Sequence, residues 1–513
     1  MRSAGVLLPI FSLPSPYGIG TLGKAAYEFV DFLHDAKQTY WQVLPLGPTS
    51  YGDSPYQAFS TFAANPYFID LDRLVEEGLL TYDEVHAHNW GNDPSKIDYG
   101  LLYNTRFEVL SHAADRLIAQ DDEAFHAFCT AQRAWLDDYS LFMSLKNKFG
   151  GKSWQKWPEE LRLRKPQALA QATEELTPQM MFWKALQYFF DCQWCALKVY
   201  ANAKDVKIIG DVPIYVAEDS VDVWSHPELF QLDANNRPTE VAGCPPDGFS
   251  ATGQLWGNPL FNWDAMKYNG YAWWMERIRA QFKHFDVLRI DHFRGFDSYY
   301  AIPFGATTAI NGRWRKGPGK DFFDTLNKTL GHKPIIAEDL GFLTQSVFDL
   351  LAYCQYPGMK VLEFGFDSRD EGGRTYQPHR YMPHCVAYVG THDNSTAKGW
   401  LESVNPADAA YARDYLHIVP QEAANTNGYE TELASWTMMR AIWQSCADTA
   451  IVQMQDILNL GDEARINVPS TLGSNWCWRM QPQVDLHAVA PRLAQAMQLY
   501  ERVPQTQERC ACA

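Results

Sequence analysis

Three acidic residues follow short apolar runs of the kind that form buried strands. Asp291 and Glu338 are the last residues of two such runs, and Asp393 comes four residues after a third. In a (β/α)8 barrel, the carboxyl ends of successive strands bring such side chains together above one face. The pattern therefore predicts an α/β chain of the (β/α)8 TIM-barrel class. Carboxylates that meet in this way are typical of glycosidic-bond chemistry.

Eight apolar runs are candidates for the strands of this barrel, which has eight strands. They are residues 5–10, 40–46, 206–211, 287–291, 334–338, 359–364, 385–389 and 450–458. Several have helical periodicity beside them, although a doubly wound open sheet would also alternate strands and helices. The barrel is favoured because candidate polar residues follow at least four of the runs.

Residues 1–513 are predicted to form a single catalytic barrel domain with helical and loop insertions and no separate C-terminal β-domain. Residues 70–205 are predicted to be a helical insertion subdomain. Apolar residues recur there at spacings of three and four in the segments 104–119, 123–148 and 180–204. Residues 218–266 are rich in Pro, Gly, Asn, Asp and Trp without periodicity, which predicts an ordered loop insertion over the active site.

Composition excludes some partners and suggests a compartment. The formal net charge is −17, whereas a nucleic-acid surface requires clustered Lys and Arg, so we expect no nucleic-acid partner. We expect no membrane partner because no window approaches the ~20 apolar residues of a membrane span. Pro9 interrupts the apolar N-terminal stretch, which argues against a signal peptide. The ten Cys are scattered, which favours a reduced, cytoplasmic protein.

No metal or cofactor is predicted. Cys192 and Cys195 have the spacing of a metal-binding pair, but they lie in an aromatic helical run without a matching second pair. His86 and His88 have no third ligand nearby in the sequence. The Gly-x-x-x-x-Gly-Lys-[Ser/Thr] phosphate loop is absent from the sequence.

The residues beside the acids suggest different protonation states. Arg289 precedes Asp291 by two positions, so both side chains should point into the barrel, and a neighbouring guanidinium favours an ionised nucleophile. A buried Arg–Asp pair that only stabilises the barrel is the alternative. The apolar run before Glu338 predicts a raised pKa, as a general acid requires. Asp339 is expected to face away, at a helix N-terminus.

The third acid lies between two further polar side chains. His392 and Asn394 flank Asp393 and could hydrogen-bond sugar hydroxyls. A His–Asp pair can also belong to a hydrolase triad, but the Gly-x-Ser-x-Gly nucleophile elbow does not occur in the sequence.

These motifs resemble a known family. Arg-Ile-Asp at 289–291, Glu338 and His-Asp-Asn at 392–394 are similar to regions of the α-amylase clan. Four segments narrow the resemblance to the 4-α-glucanotransferases, called amylomaltases or disproportionating enzymes: 47–57, 210–216, 246–259 and 465–471. Together these motifs cover nearly the whole chain. Ser470 departs from the family pattern, which has Gly there, and Ser resists the positive φ that Gly permits.

The resemblance implies a retaining transglycosylase. Such an enzyme transfers a segment of a 1,4-α-glucan to the 4-hydroxyl of glucose or another glucan through a covalent glycosyl-enzyme intermediate. It implies Asp291 as nucleophile, Glu338 as acid/base and Asp393 as stabiliser of the distorted sugar. The transferred sugar would be held by Tyr56, Asp211, Arg289 and His392.

The resemblance also implies binding residues beyond the transferred sugar. Gln254 and Trp256, on the loop after the third strand, would shape the acceptor side. Tyr51 would belong to a remote glucan site. The expected substrates are maltooligosaccharides and other α-1,4-glucans, with glucose as an acceptor and no cofactor.

Three alternatives stay open at this point. An α-glucan hydrolase of the same clan would share the carboxylates and differ in admitting water to the intermediate. A non-catalytic starch-binding protein on a decayed barrel is disfavoured because all three carboxylates are present. A metal-dependent barrel hydrolase would require a ligand cluster that the sequence does not show.

Overall fold

The chain is described by a computed structural model over residues 2–50, 52–246, 250–341, 343–368, 372–418 and 433–504. Its strands in this part of the chain are β1 (Ser3–Leu7), β2 (Tyr40–Gln42), β3 (Lys207–Val212), β4 (Glu240–Cys244), β5 (Gln254–Pro259), β6 (Val287–Ile290), β7 (Ser298–Pro303), β8 (Arg313–Lys316), β9 (Ile335–Ala337), β10 (Gly358–Val361), β11 (Cys385–Tyr388) and β12 (Thr449–Gln453).

Eight of these strands form one parallel sheet in the order β10-β11-β12-β1-β2-β3-β6-β9. The remaining seam, between β9 and β10, is bridged by the Ala337 N–H, which donates to the Pro357 carbonyl at 3.0 Å. Asp339 Oδ1 strengthens the seam by accepting from the Met359 N–H at 2.5 Å. The (β/α)8 barrel is therefore confirmed. The expectation that Asp339 begins a helix is wrong, since the next helix starts at Gln345.

Each of the eight predicted runs overlaps one barrel strand, and the errors lie at the strand ends. The last run was expected to extend to residue 458, but β12 ends at Gln453 and the chain turns into the short helix Met454–Ile457. Apolar side chains continue through this change of conformation, so hydrophobicity alone does not mark it.

Alternation along the strands fills the barrel interior with apolar side chains below a polar layer. The apolar layer consists of Leu7, Ile209, Ile336, Met359, Val361, Val386, Tyr388 and Ile451. Gly5 leaves room for a neighbour there, because a Cβ on it would lie 2.6 Å from the Tyr40 Cβ. Two positions beyond Ile209, Asp211 takes the next inward place, so the polar layer lies at the carboxyl ends of the strands.

Helices surround the barrel and fill the segment between β2 and β3. The α-helices of the described residues are Lys24–Asp35, Leu71–Glu76, Tyr82–His86, Tyr99–Ala119, Glu123–Ala131, Arg133–Lys148, Glu159–Arg162, Pro166–Glu175, Thr177–Ala203, Val221–Ser225, Trp263–Tyr268, Ala272–His284, Lys320–Leu330, Gln345–Cys354, Ala397–Ser403, Pro406–Leu416, Ala434–Gln444, Met454–Ile457 and Leu486–Leu499. The bounds of a helical subdomain at 70–205 stay a prediction. After β12, the described residues up to 504 contain helices and no strand.

None of the helices in the described ranges is both long and apolar enough to cross a membrane.

A second, antiparallel sheet was missed by sequence reasoning. Its order is β5-β4-β7-β8, and its first two strands lie in the segment 218–266, which was expected to be a loop. β4 pairs with β7 across about 60 residues of sequence, with Glu240 opposite Pro303. Because Gly and Pro interrupt β5, and because β4 also pairs with the distant β7, local periodicity does not reveal these strands.

Candidate active site

One guanidinium lies between two carboxylates at the ends of β3 and β6. Arg289 Nη1 is 2.6 Å from Asp211 Oδ2 and 3.1 Å from Asp291 Oδ1. Arg289 and Asp211 are buried, whereas the Asp291 side chain is 28% exposed. Arg289 and Asp291 both point into the barrel, as the alternation predicts. The contact of Arg289 with Asp211 is, however, shorter than its contact with Asp291.

The Glu338 carboxyl is held by two backbone donors. The His292 N–H donates to Glu338 Oε2 at 2.6 Å, and the Leu340 N–H donates to Oε1 at 2.8 Å. Burial raises the pKa of Glu338, while Arg289 and the two N–H groups act in the opposite direction. The raised pKa agrees with the direction predicted from the apolar run before this residue.

Arg289 lowers the pKa of Asp291, as expected, but the net shift is upward. Burial raises the pKa of Asp291 well above its usual range, and the Arg289 guanidinium only partly opposes this. The physical reason is that Asp211 already neutralises Arg289, while Glu338 and Asp393 add negative charge nearby.

Asp393 is held by the loop that contains Arg465 and Asn467, a contact that the sequence did not predict. Asn467 Nδ2 donates to Asp393 Oδ1 at 2.6 Å, and Arg465 Nη2 donates to the Asp393 carbonyl at 2.7 Å. The Asp393 side chain remains 44% exposed. Both partners lie in the segment 465–471, whose sequence contributed to the family resemblance but gave no sign of this contact.

Tyr56 joins His392 to Asp211. Its hydroxyl donates to Asp211 Oδ2 at 2.8 Å and lies 2.9 Å from His392 Nε2, and the Tyr56 and His392 rings stack at 5.3 Å. Since the Tyr56 proton goes to Asp211, His392 Nε2 is assigned as the donor. Burial lowers the pKa of His392, which favours the neutral ring.

Asn394 has a structural role in the turn that carries Asp393. Its Oδ1 accepts from both the N–H and the hydroxyl of Thr391, at 3.0 Å and 2.8 Å. This carbonyl oxygen is therefore occupied, in contrast to the expectation that Asn394 would serve sugar hydroxyls.

Gln254 and Trp256 lie on β5 rather than on a loop. Trp256 Nε1 donates to Gln254 Oε1 at 3.0 Å. The Trp256 indole meets the His292 ring at 4.8 Å with an interplanar angle of 89°. Because His292 directly follows Asp291, this contact places the Gln254–Trp256 pair beside the strand that carries Asp291. Tyr51 lies outside the described residues.

The departure at Ser470 has a backbone consequence. Ser470 adopts φ = 64°, in the left-handed region that Gly favours. The loop is closed around it by Asn475, whose Oδ1 accepts from the Val468 N–H at 3.0 Å. Ser at this position therefore adds local backbone strain that Gly would not.

Within the described residues, no group of three or more His, Cys, Asp and Glu side chains could hold a metal ion.

Buried Arg and Asp side chains with further carboxylates at the strand ends of a (β/α)8 barrel define an enzyme of the glycosidic-bond class. The family model described as 4-alpha-glucanotransferase matches residues 8–485. A 4-alpha-glucanotransferase of Clostridium butyricum is 47% identical over 495 residues, covering 96% of this chain and 99% of that protein. One from Thermus thermophilus is 45% identical over 487 residues, covering 94% and 95%.

A solved structure agrees with these relatives. Amylomaltase from Streptococcus agalactiae, in complex with acarbose, has a TM-score of 0.93 and 40% identity, covering 98% of this chain and 100% of that one. The chain belongs to the 4-α-glucanotransferase family, as its motifs predicted. It is a transglycosylase that acts on α-1,4-glucans, and the hydrolase alternative is not favoured.

Proposed function

We propose that the enzyme cleaves an α-1,4-glucan by a retaining double displacement through a glycosyl ester on Asp291. The observation that carries this proposal is the shared position of Arg289 between Asp211 and Asp291, with Glu338 held by the N–H of the residue after Asp291. It supports a nucleophile and an acid on neighbouring strands.

In the first step, an Asp291 oxygen bonds to the anomeric carbon while the bond from that carbon to the leaving oxygen breaks. Glu338 gives its proton to the leaving oxygen. Positive charge that develops on the sugar favours the ionised form of Asp291, which opposes the effect of burial on its pKa. Asp393, fixed by Asn467, stabilises the distorted ring.

In the second step, the 4-hydroxyl of glucose or another glucan attacks the same carbon and the ester bond breaks. Glu338 takes the hydroxyl proton, which restores both carboxyl groups. Gln254 and Trp256 receive the acceptor. The residues assigned to the transferred sugar are Tyr56, Asp211, Arg289 and His392.

The organisation of the chain follows from the same proposal. Residues 70–205 form a helical subdomain on the catalytic barrel, and 218–266 form the insertion that bears the acceptor side. Tyr51 belongs to a remote glucan site. We place the reaction in the cytoplasm, without a nucleic-acid partner, on the support of the net charge of −17 and of eight free cysteines in the described ranges.

The test is incubation of the enzyme with maltotriose and separation of the products. Transfer yields glucose together with a ladder of longer maltooligosaccharides. Maltose and glucose alone would refute the transferase. Asp291→Asn is the matched control, because any ladder that it forms measures contamination or spontaneous reaction.

A further inference from the structure

His292 lies between the proposed acid and the proposed acceptor residue. Its backbone is left-handed, with φ = 52°, although it is not glycine. This conformation directs its N–H to Glu338 Oε2 at 2.6 Å. Non-glycine residues in the left-handed region concentrate at functional sites, where the surrounding structure holds them.

The His292 ring is equally constrained. The residue is 9% exposed, and Nε2 is buried without a hydrogen-bond partner in the described part of the chain. Burial lowers the pKa of His292 to about 3, so the ring is neutral near pH 7. Its one ring contact with an aromatic residue of the second sheet is the perpendicular contact with Trp256, at 4.8 Å and 89°. An N–H directed at an indole face has this geometry.

Gly295 lies near the His292 ring, since a Cβ added to it would be 3.4 Å from the His292 Cδ2, an ordinary contact distance.

We propose that His292 is a positioning residue that couples the acid to the acceptor platform. Its N–H orients the Glu338 carboxyl, and its imidazole sets the tilt of the Trp256 indole, so that the two are placed by one residue. This inference rests on the proposed function, because it requires a transfer step in which Glu338 and Trp256 both act.

The experiment separates the backbone of His292 from its ring. His292→Asn and His292→Gly both remove the ring, and both residues accept a positive φ, so the N–H should stay on Glu338. His292→Ala removes the ring and resists that φ. The control is His417→Asn, because His417 is exposed on the surface and also left-handed, with φ = 56°.

Two rates are measured on maltotriose: release of glucose in the first turnover, and incorporation of isotope-labelled glucose into maltotriose over a range of glucose concentrations. In His292→Asn and His292→Gly, transfer should fall roughly fivefold further than first-turnover glucose release does, the size expected for loss of an aromatic contact. His292→Ala should also lose glucose release. The first step of the His292→Ala variant should regain its rate with α-glucosyl fluoride, because the fluoride leaving group needs no acid.

Coupling is tested by combining His292→Asn with Trp256→Ala. If the ring acts only through Trp256, the double variant transfers no more slowly than Trp256→Ala alone. Losses that multiply, or an equal fall of release and transfer in both His292→Asn and His292→Gly, would overturn the inference. A maltotriose ladder from the unaltered enzyme shows that the proposed function stands even then, whereas its absence refutes the proposed function itself.

Discussion

At the residue scale, the site depends on how one positive charge is divided. Arg289 makes two contacts with Asp211, at 2.6 Å and 2.8 Å, and one longer contact with Asp291. Asp211 is thus the main counter-ion of Arg289, and the positive charge of Arg289 stabilises the Asp291 carboxylate only in part. A nucleophile arranged in this way gains most of its electrostatic stabilisation when the sugar becomes positively charged.

Replacing Asp291 should remove catalysis and leave the fold intact. Asp291→Asn is expected to lower turnover by about 10⁴-fold, because the ester cannot form. The barrel should remain folded because Arg289 keeps its contacts with Asp211. Glucose release from maltotriose and the thermal unfolding midpoint measure the two effects. Asp115→Asn, at an exposed helical position, is the control. Transfer close to the unaltered rate would remove Asp291 from its role.

Replacing Glu338 should abolish activity only on substrates whose leaving group needs a proton. Glu338→Gln should be nearly inactive on maltotriose yet form the glycosyl ester from α-glucosyl fluoride, which needs no proton donor. Glutamine has one acceptor oxygen for two N–H groups, so stability should also fall by about 1 to 2 kcal/mol. Burst kinetics and urea unfolding measure these changes. An equal loss of rate with both donors would exclude Glu338 as the acid.

Sequence reasoning identified residues of this site but not all of its contacts. Asp291, Glu338 and Asp393 were selected because a strand end is a local pattern, and a local pattern is visible in sequence. The contact of Asn467 with Asp393 joins positions 74 residues apart, and no periodicity encodes it. Asp339 was misplaced because its neighbours suggested a helix start, whereas the Met359 N–H on the next strand is its partner.

At the scale of elements, the turn that carries Asp393 is held by buried polar side chains. The Thr396 and Ala397 N–H groups donate to Asp462 at 3.1 Å and Asp456 at 2.7 Å. The Glu363 carboxyl packs against Gly390 at the start of the turn, where an added Cβ would lie 2.9 Å from it. Burial raises the pKa of Asp456 to about 7 and that of Glu363 well above its usual range.

This support should depend on pH. The pKa of Asp456 is about 7 in the folded protein against an ordinary value of 3.8, so the folded state binds more protons between these values. Its contribution to stability is complete below pH ~4 and is lost as the pH rises through 7. Asp456→Asn should remove that loss. As the pH rises from 5 to 9, the free energy of unfolding of the variant should therefore gain roughly 2 kcal/mol relative to that of the unaltered protein.

Urea unfolding at pH 5, 7 and 9 measures the effect of Asp456→Asn. Asp462 and Glu363 are the charged groups that interact with this carboxylate, and Glu363→Gln is a second variant with the same expected sign. A stability difference that does not change with pH would contradict the interpretation.

Elements differ in how far the sequence predicts them. The barrel strands were found because each is a buried apolar run, and only their ends were wrong. The second sheet was not found, since β5 contains Gly257 and Pro259 and pairs only with β4, whose other partner β7 lies beyond β6. Trp256 was consequently assigned to a loop, although its position two residues after Gln254 places both side chains on one face of a strand.

At the scale of the whole molecule, one arginine near the C-terminus joins the beginning and end of the barrel. The Arg502 guanidinium is fully buried and donates to the Ser3 carbonyl at 2.9 Å, the Trp443 carbonyl at 2.7 Å and the Ala447 carbonyl at 3.0 Å. Ser3 begins β1, and Ala447 precedes β12, the neighbouring strand. The contact therefore lies at the amino ends of the strands, opposite the catalytic face.

Arg502→Ala should destabilise the protein without changing the chemistry of the site. Buried carbonyls would lose a charged donor, which is expected to lower the free energy of unfolding by about 3 kcal/mol or more. Arg502→Lys should restore part of it, because an ammonium group reaches fewer carbonyls. The urea midpoint gives the stability, and maltotriose turnover below the transition gives the activity. Lys24→Ala, at a side chain that is 88% exposed, is the control. If Arg502→Ala left the midpoint unchanged, closure of the barrel would not depend on this residue; if it abolished turnover in the folded state, the two faces would be coupled.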